Sequence, residues 1–126
     1  MPPPLLTVKN LSKIYTHDNQ NILVLSNITL RVKSGEFVSI IGPNGCGKST
    51  LLKLIAGIEK STAGTITIDE KLNPSYMPQQ HALLPWRTVT ENLLLPSDIK
   101  GISRKEMRAK VADLLGKFEL TAFRDL

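Results

Sequence analysis

The residues whose types and spacing can do chemistry are concentrated in one run: Gly42, Pro43, Asn44, Gly45, Cys46, Gly47, Lys48, Ser49 and Thr50. They fit G-x-x-x-x-G-K-[ST], a pattern that cradles phosphates. Its glycines let the backbone take conformations that a side chain would block. Successive amides can then converge on phosphate oxygens at the positive end of the following helix. Lys48 would reach the β- and γ-phosphates of a nucleotide, and the Ser49 hydroxyl would coordinate Mg²⁺. A chance match to two Gly, a Lys and a Ser or Thr at these offsets arises in well under roughly one in 100 chains of this size at average residue usage. Without a ligand the same residues would be an ordinary glycine-rich turn.

Such a loop needs a strand before it and a helix after it. Phe37 to Ile41 is a nearly continuous apolar run, which predicts a strand covered on both faces. Leu51, Leu52, Ile55 and Ile58 stand at helical spacing, with Gly57 near the end, and predict a helix from Lys48 to Ile58. Upstream, Leu5 to Val8 is β-like, Thr16 to Asn21 is a polar loop, Ile28 to Val32 alternates with period two, and Lys33 to Glu36 is a tight turn. Downstream, Ser61 to Gly64 turns the chain, Thr65 to Ile68 alternates again, and Tyr76-Met77 is one more candidate strand. Thr88 with Glu91 and Ser103 with Glu106 match the capping box and predict two helix starts. In the second of these helices Met107, Val111, Leu114, Leu115 and Phe118 mark one apolar face. Pro2 to Pro4 reads as a solvated arm.

Other residues imitate sites. Asp69-Glu70 after Thr65 to Ile68 resembles the acidic pair that ends a buried strand in phosphate-loop enzymes, but the alternation predicts a surface hairpin and a turn. Asp98 to Gly101 imitates a GTPase switch, yet the sequence contains no N-K-x-D for guanine recognition. His17 and His81 stand alone and far from the single Cys46, so no metal cluster is predicted.

Composition bounds what these elements can build. A chain of 126 residues, 41% hydrophobic and 21% charged, is expected to form one globular domain with a core. One Cys precludes a disulfide framework within the chain and fits a reducing compartment. No apolar run approaches the roughly 20 residues of a membrane span, and Met1 to Leu6 lacks the features of a signal peptide, so neither secretion nor membrane insertion is expected. The net charge of +5 comes largely from Lys100, Arg104, Lys105, Arg108 and Lys110 around the lone acid Glu106. This predicts a solvated helix face, and no nucleic acid is expected as a partner.

Taken together, the run Ser34 to Ile58 (SGEFVSIIGPNGCGKSTLLKLIAGI), the turn STAGTI, the start LSKIY with Tyr15, and Met77 to Pro96 (MPQQHALLPWRTVTENLLLP) resemble the ATP-binding cassette (ABC) transporter ATPases from about Leu6 to Leu126. The stretch ALLPWRTV resembles importers of the nitrate, sulfonate and taurine type. The resemblance implies an α/β P-loop core, truncated, with an N-terminal antiparallel β portion and the start of a helical subdomain. Residues 1–87 would carry the β portion, P-loop and Q-loop, and 88–126 the start of the helical subdomain. It implies ATP and Mg²⁺ as cofactors. The base and phosphates would be held by Tyr15 and Gly42 through Thr50, Mg²⁺ by Ser49 and Gln79, and catalysis would involve Lys48 and Gln79. Tyr15 would stack on adenine, which its flat amphipathic ring suits; on the residues alone it is equally a half-buried core tyrosine. The alignment, and not chemistry, selects Gln79 over Gln80. The permease would dock on the region from Gln79 to Arg87, where Leu83, Leu84, Pro85 and Trp86 offer an apolar stretch that core burial would explain comparably well. A second ATP-binding subunit would complete a dimer on the cytoplasmic face of the membrane.

The family's LSGGQ signature, the Walker B strand ending in Asp-Glu, the D-loop and the switch His do not occur in the 126 residues. The missing acidic pair supplies a Mg²⁺ ligand and the general base, so the machinery for the γ-phosphate is half built. The expectation is ATP binding as part of an importer ATPase, with no turnover by the isolated chain. The alternatives are a non-hydrolysing binding module and a non-functional remnant.

Overall fold

Alternation of apolar and polar residues folds the first half of the chain into a sheet. The computed structural model describes residues 4–80 and 82–126; Met1 to Pro3 of the expected proline arm, and His81, lie outside the described residues. Strand β1 (Leu6–His17) and strand β2 (Gln20–Val32) form a long hairpin. Its turn is Asp18-Asn19, with φ of 48° and 61°, the left-handed pair that a two-residue hairpin loop requires and that Asp and Asn tolerate. The hairpin pairs Leu6 with Val32 and His17 with Gln20. Strand β3 (Ala63–Ile68) pairs antiparallel with the other edge of β1, giving the order β2-β1-β3. The expected strand Leu5 to Val8 is therefore the beginning of a much longer one.

Helix α1 (Lys48–Ile55) lays Leu51 and Leu54 against Val8, Leu11 and Leu25 of the sheet. Val8 and Leu11 are fully buried, and each such side chain contributes roughly 1.5–3 kcal/mol of transfer free energy. The helix ends at Ile55, before the expected Ile58. Gly57 takes φ 72°, and the Ile58 amide donates back to the Lys53 carbonyl at 3.0 Å, a glycine-dependent stop.

Two expected strands are corrected. Phe37 to Ile41 has no regular secondary structure and belongs to no sheet, and Phe37 and Ile41 are 95% and 94% exposed. An apolar run becomes a strand only when a neighbour takes its backbone hydrogen bonds, and among the described residues none is laid beside it. Tyr76-Met77 likewise has no ladder partner among them, and Met77 is exposed. By contrast, Asp69 follows β3 as a turn residue. Its carbonyl accepts from the Leu72 amide at 2.8 Å and its carboxylate from the Lys71 amide at 3.0 Å.

The chain divides into two compact units, Met1–Met77 and Pro78–Leu126. In the second, helix α2 (Val89–Lys100) and helix α3 (Arg104–Lys117) precede a 3₁₀ turn (Thr121–Phe123). Leu94, Val111 and Leu115 form its core, with Val89 and Met107 packed on it. Leu114 and Phe118, expected on the same buried face, are 43% and 70% exposed; only the i, i+4, i+8 stripe of Met107, Val111 and Leu115 turns inward. The capping box at Thr88 and Glu91 forms reciprocally, at 3.2 and 2.9 Å. The one expected at Ser103 and Glu106 does not, because Ser103 caps with no side-chain bond and offers its carbonyl to the Glu106 amide instead. No helix of the described residues is long and apolar enough to cross a membrane.

Candidate phosphate-binding site

In the first unit the loop from Gly42 to Gly47 ends on β2. Gly47 has φ 94°, and a Cβ there would stand 2.8 Å from Leu25 Cδ2 and 3.0 Å from the Val24 carbonyl oxygen. Only a residue with no side chain can both take this left-handed turn and pack its backbone on the strand. Gly47 is also the N-cap of α1, and no side chain caps the helix. Among the described residues the amides of Lys48, Ser49 and Thr50 find no acceptor, whereas the Leu51 amide closes the first helical bond on the Gly47 carbonyl at 2.9 Å. Three orphan donors at the positive end of a helix are an anion site in waiting.

Lys48 lies across the mouth of this loop. Its Nζ donates to the carbonyls of Gly42 (2.8 Å) and Pro43 (2.6 Å) and stands 3.7 Å from Cys46 Sγ. An ammonium satisfied by two loop carbonyls can exchange them for phosphate oxygens at modest cost, since the new partners carry charge. Pro43, Asn44, Gly45 and Cys46 are exposed, and the Cys46 amide turns back on the Pro43 carbonyl at 3.5 Å. The donor set, three free amides and one movable cation, therefore fits a polyphosphate. An apolar hollow of about 250 Å³ in the same unit, lined by Leu5, Leu6, Val32, Ile55 and Ile68 among others, includes no residue of the loop and offers nothing to a phosphate.

Tyr15 belongs to the same unit and is half-buried on β1. Its hydroxyl donates to the Glu59 carboxylate, just beyond α1. That bond, and then partial burial, raise the phenol above its ordinary value, while the neighbouring Thr50 hydroxyl pulls the other way. Glu59 is held below the usual carboxylate range, first by the Tyr15 hydroxyl and then by Lys13 and Lys53, against a burial effect of opposite sign. The structure thus brings Tyr15 and Thr50 together, and it adds Glu59, on which the sequence was silent. No spacing rule links residues 44 apart.

Gln79 and Gln80 belong to the second unit, both in an exposed bend. Leu83 and Trp86 are 63% and 76% exposed. The loop that carries Trp86 is fastened by Asn92, another residue absent from the sequence-based expectations. Its side chain accepts from the Leu84 amide at 2.8 Å and donates to the carbonyls of Leu84, Arg87 and Thr88 at 3.0 to 3.1 Å. Asp98, which imitated a switch, is structural. Arg104 grips it through two bonds of 2.6 and 2.7 Å, Arg87 adds a contact at 3.6 Å, and Gly101 ends the helix at φ 66°.

The sequence profile of the family described as ABC transporter matches residues 25–126. The chain belongs to the ABC transporter family. Its fold is the P-loop fold of ABC ATPases, an antiparallel sheet with few helices over the span present here. The ATP-binding cassette MJ0796, solved as a dimer in a post-hydrolysis state bound to ADP and Pi, superposes with a TM-score of 0.80 at 34% identity, over 95% of this chain and 60% of that one. The spermidine/putrescine import ATP-binding protein PotA of Thermotoga maritima is 40% identical over 119 residues, 87% of this chain and 31% of PotA. The aliphatic sulfonates import ATP-binding protein SsuB of Bacillus cereus is 37% identical over 124 residues, 94% of this chain and 48% of SsuB. This ABC chain therefore spans less than half the length of these two relatives.

Proposed function

We propose that the chain binds ATP with Mg²⁺ in the loop from Gly42 to Thr50, as part of the nucleotide-binding component of an ABC importer. The observation that carries this is the uncapped start of α1, where three free amides stand beside a lysine held by the Gly42 and Pro43 carbonyls and the Cys46 sulfur. The likeness to a cassette solved with ADP and Pi supports it. Gly42, Pro43, Asn44, Gly45, Cys46 and Gly47 would supply the main-chain cradle. Lys48 would leave the Gly42 and Pro43 carbonyls for phosphate oxygens, in its catalytic role, and Thr50 would complete the helix start. Ser49 and Gln79 would hold the metal, Gln79 also serving catalysis, and Tyr15 would meet the adenine. Bound Mg²⁺ neutralises charge on the terminal phosphates.

Residues 1–87 would provide the β portion with both loops, and 88–126 the start of the helical subdomain. The permease would dock on the region from Gln79 to Arg87, a reading supported by the exposure of Leu83 and Trp86 and by the Asn92 clamp beneath. The dimeric solved relative supports a second ATP-binding subunit as partner. In that assembly the chain would lie on the cytoplasmic face of the membrane. For the solute we favour an anion of the nitrate, sulfonate or taurine type, on the stretch Ala82 to Val89 and the SsuB likeness.

Calorimetric titration with Mg-ATP tests it. The 126-residue chain should bind saturably, and Lys48→Ala should weaken binding about 10- to 100-fold, since hydrogen bonds to charged groups contribute roughly 1.5–3 kcal/mol. Equal affinity of the two proteins would sink the proposal. We further propose binding without turnover for this chain alone. Phosphate release from ATP that disappears with Lys48→Ala would refute that part.

A further inference from the structure

Tyr15 and the phosphate loop are tied to one helix, and the tie is Glu59. The Glu59 carboxylate accepts from the Tyr15 hydroxyl on one oxygen, which also lies 3.7 Å from Lys13 Nζ; its other oxygen lies 3.7 Å from Lys53 Nζ. Lys13 is itself anchored, donating to the Lys60 carbonyl at 2.8 Å, and its ammonium stands 4.6 Å from the centroid of the Tyr15 ring. One face of the ring therefore lies under a fixed cation, and a base can stack only on the other. Lys53 lies in α1 and Glu59 just beyond its end, whereas Lys48, Ser49 and Thr50 form the beginning of the same helix. The helix thus begins with the phosphate donors, and the turn that leaves its other end carries the anchor of the aromatic ring.

We propose that Glu59 is a positioning residue for recognition of the nucleotide base: by holding the Tyr15 hydroxyl it fixes the ring at a set distance from the phosphate loop before any nucleotide arrives. This rests on the ATP-binding role proposed above. The gain is preorganisation. A half-exposed tyrosine free to turn about two side-chain bonds must be ordered when a base stacks on it, whereas a ring held at its hydroxyl and covered on one face has already lost that freedom. The effect belongs to ligands with a base and should be absent from ligands that have only phosphates.

The test measures the affinity of the 126-residue chain for Mg-ATP and for Mg-tripolyphosphate, which has no base. Glu59→Ala should weaken ATP binding about three- to tenfold and leave tripolyphosphate unchanged. Tyr15→Phe keeps the ring and removes the hydroxyl, so it should do the same, and the double variant should be no worse than either single one. Glu59→Gln, which still accepts a hydrogen bond, should restore most of the ATP affinity. In a Tyr76→Phe background the absorbance titration of the remaining phenol should fall back toward the ordinary tyrosine range on Glu59→Ala. Equal losses for ATP and tripolyphosphate, additive losses in the double variant, or no loss at all would overturn the role of Glu59. Wild-type binding of tripolyphosphate as tight as that of ATP would remove the base contact and Glu59 with it. No binding of either ligand would instead overturn the phosphate site on which the inference rests.

Discussion

The phosphate loop is approached by the chain from two sides that differ in what holds them. On its exit, Gly47 is packed on Val24 and Leu25 of β2, and α1 lies over a core of Val8, Leu11, Leu25, Leu51 and Leu54. On its entrance, Phe37 to Ile41 carries as apolar a sequence as any strand here, yet it has no ladder and leaves Phe37 and Ile41 in solvent. The difference shows that apolar character alone does not make a strand. β1 is ordered because its backbone groups are taken on both edges, by β2 and β3. The entering run is offered no such edge by the described residues, so its backbone groups are left to solvent.

The largest effect should come from breaking the held side. Leu11 is fully buried, so Leu11→Ala should cost about 2–5 kcal/mol of stability. A chemical denaturation curve checks this; a loss below about 1 kcal/mol would mean that the sheet and α1 do not share one core. Gly47→Val should come next, at roughly 2–4 kcal/mol, through the left-handed backbone and the collision with β2. It should also abolish Mg-ATP binding, and an unchanged melting temperature would show that the loop is not seated on β2. A smaller contribution comes from Glu59. Its folded pKa is depressed, first by the Tyr15 hydroxyl, so the stability it supplies is present above the ordinary glutamate value and is lost as pH falls through the folded value. The gap in unfolding free energy between wild type and Glu59→Gln should thus be widest near neutrality and close in acid. A gap independent of pH would contradict the ion-pair network. The smallest effect belongs to the free side: Val38→Lys should change stability by no more than about 0.5 kcal/mol while raising solubility. A large destabilisation would reveal packing of Val38 that the structure does not show.

Legibility in the sequence followed the range of the interactions. The glycine turn into α1, the Thr88 and Glu91 capping box and the Asp69 turn each depend on residues a few positions apart, and spacing was enough to place them. Ser103 and Glu106 show the limit of even a local rule: α3 starts at Ser103 as the pattern predicts, but without the reciprocal side-chain bonds. The Tyr15 to Glu59 contact bridges 44 residues, and no periodicity encodes it. Asn92 acts on carbonyls that are freed only once the loop from Leu84 to Thr88 has bent back over α2. Phe37 to Ile41 failed for the opposite reason. Its local signal was strong, but a strand is a property of two segments.

Hydrogen–deuterium exchange with and without Mg-ATP separates the held side of the loop from the free side. β1, β2 and the interior of α1 should be strongly protected, Phe37 to Ile41 should exchange rapidly, and Lys48, Ser49 and Thr50 should gain protection when Mg-ATP is added. Protection of Phe37 to Ile41 equal to that of β1 in the isolated chain, or no change at the start of α1 on adding Mg-ATP, would contradict it.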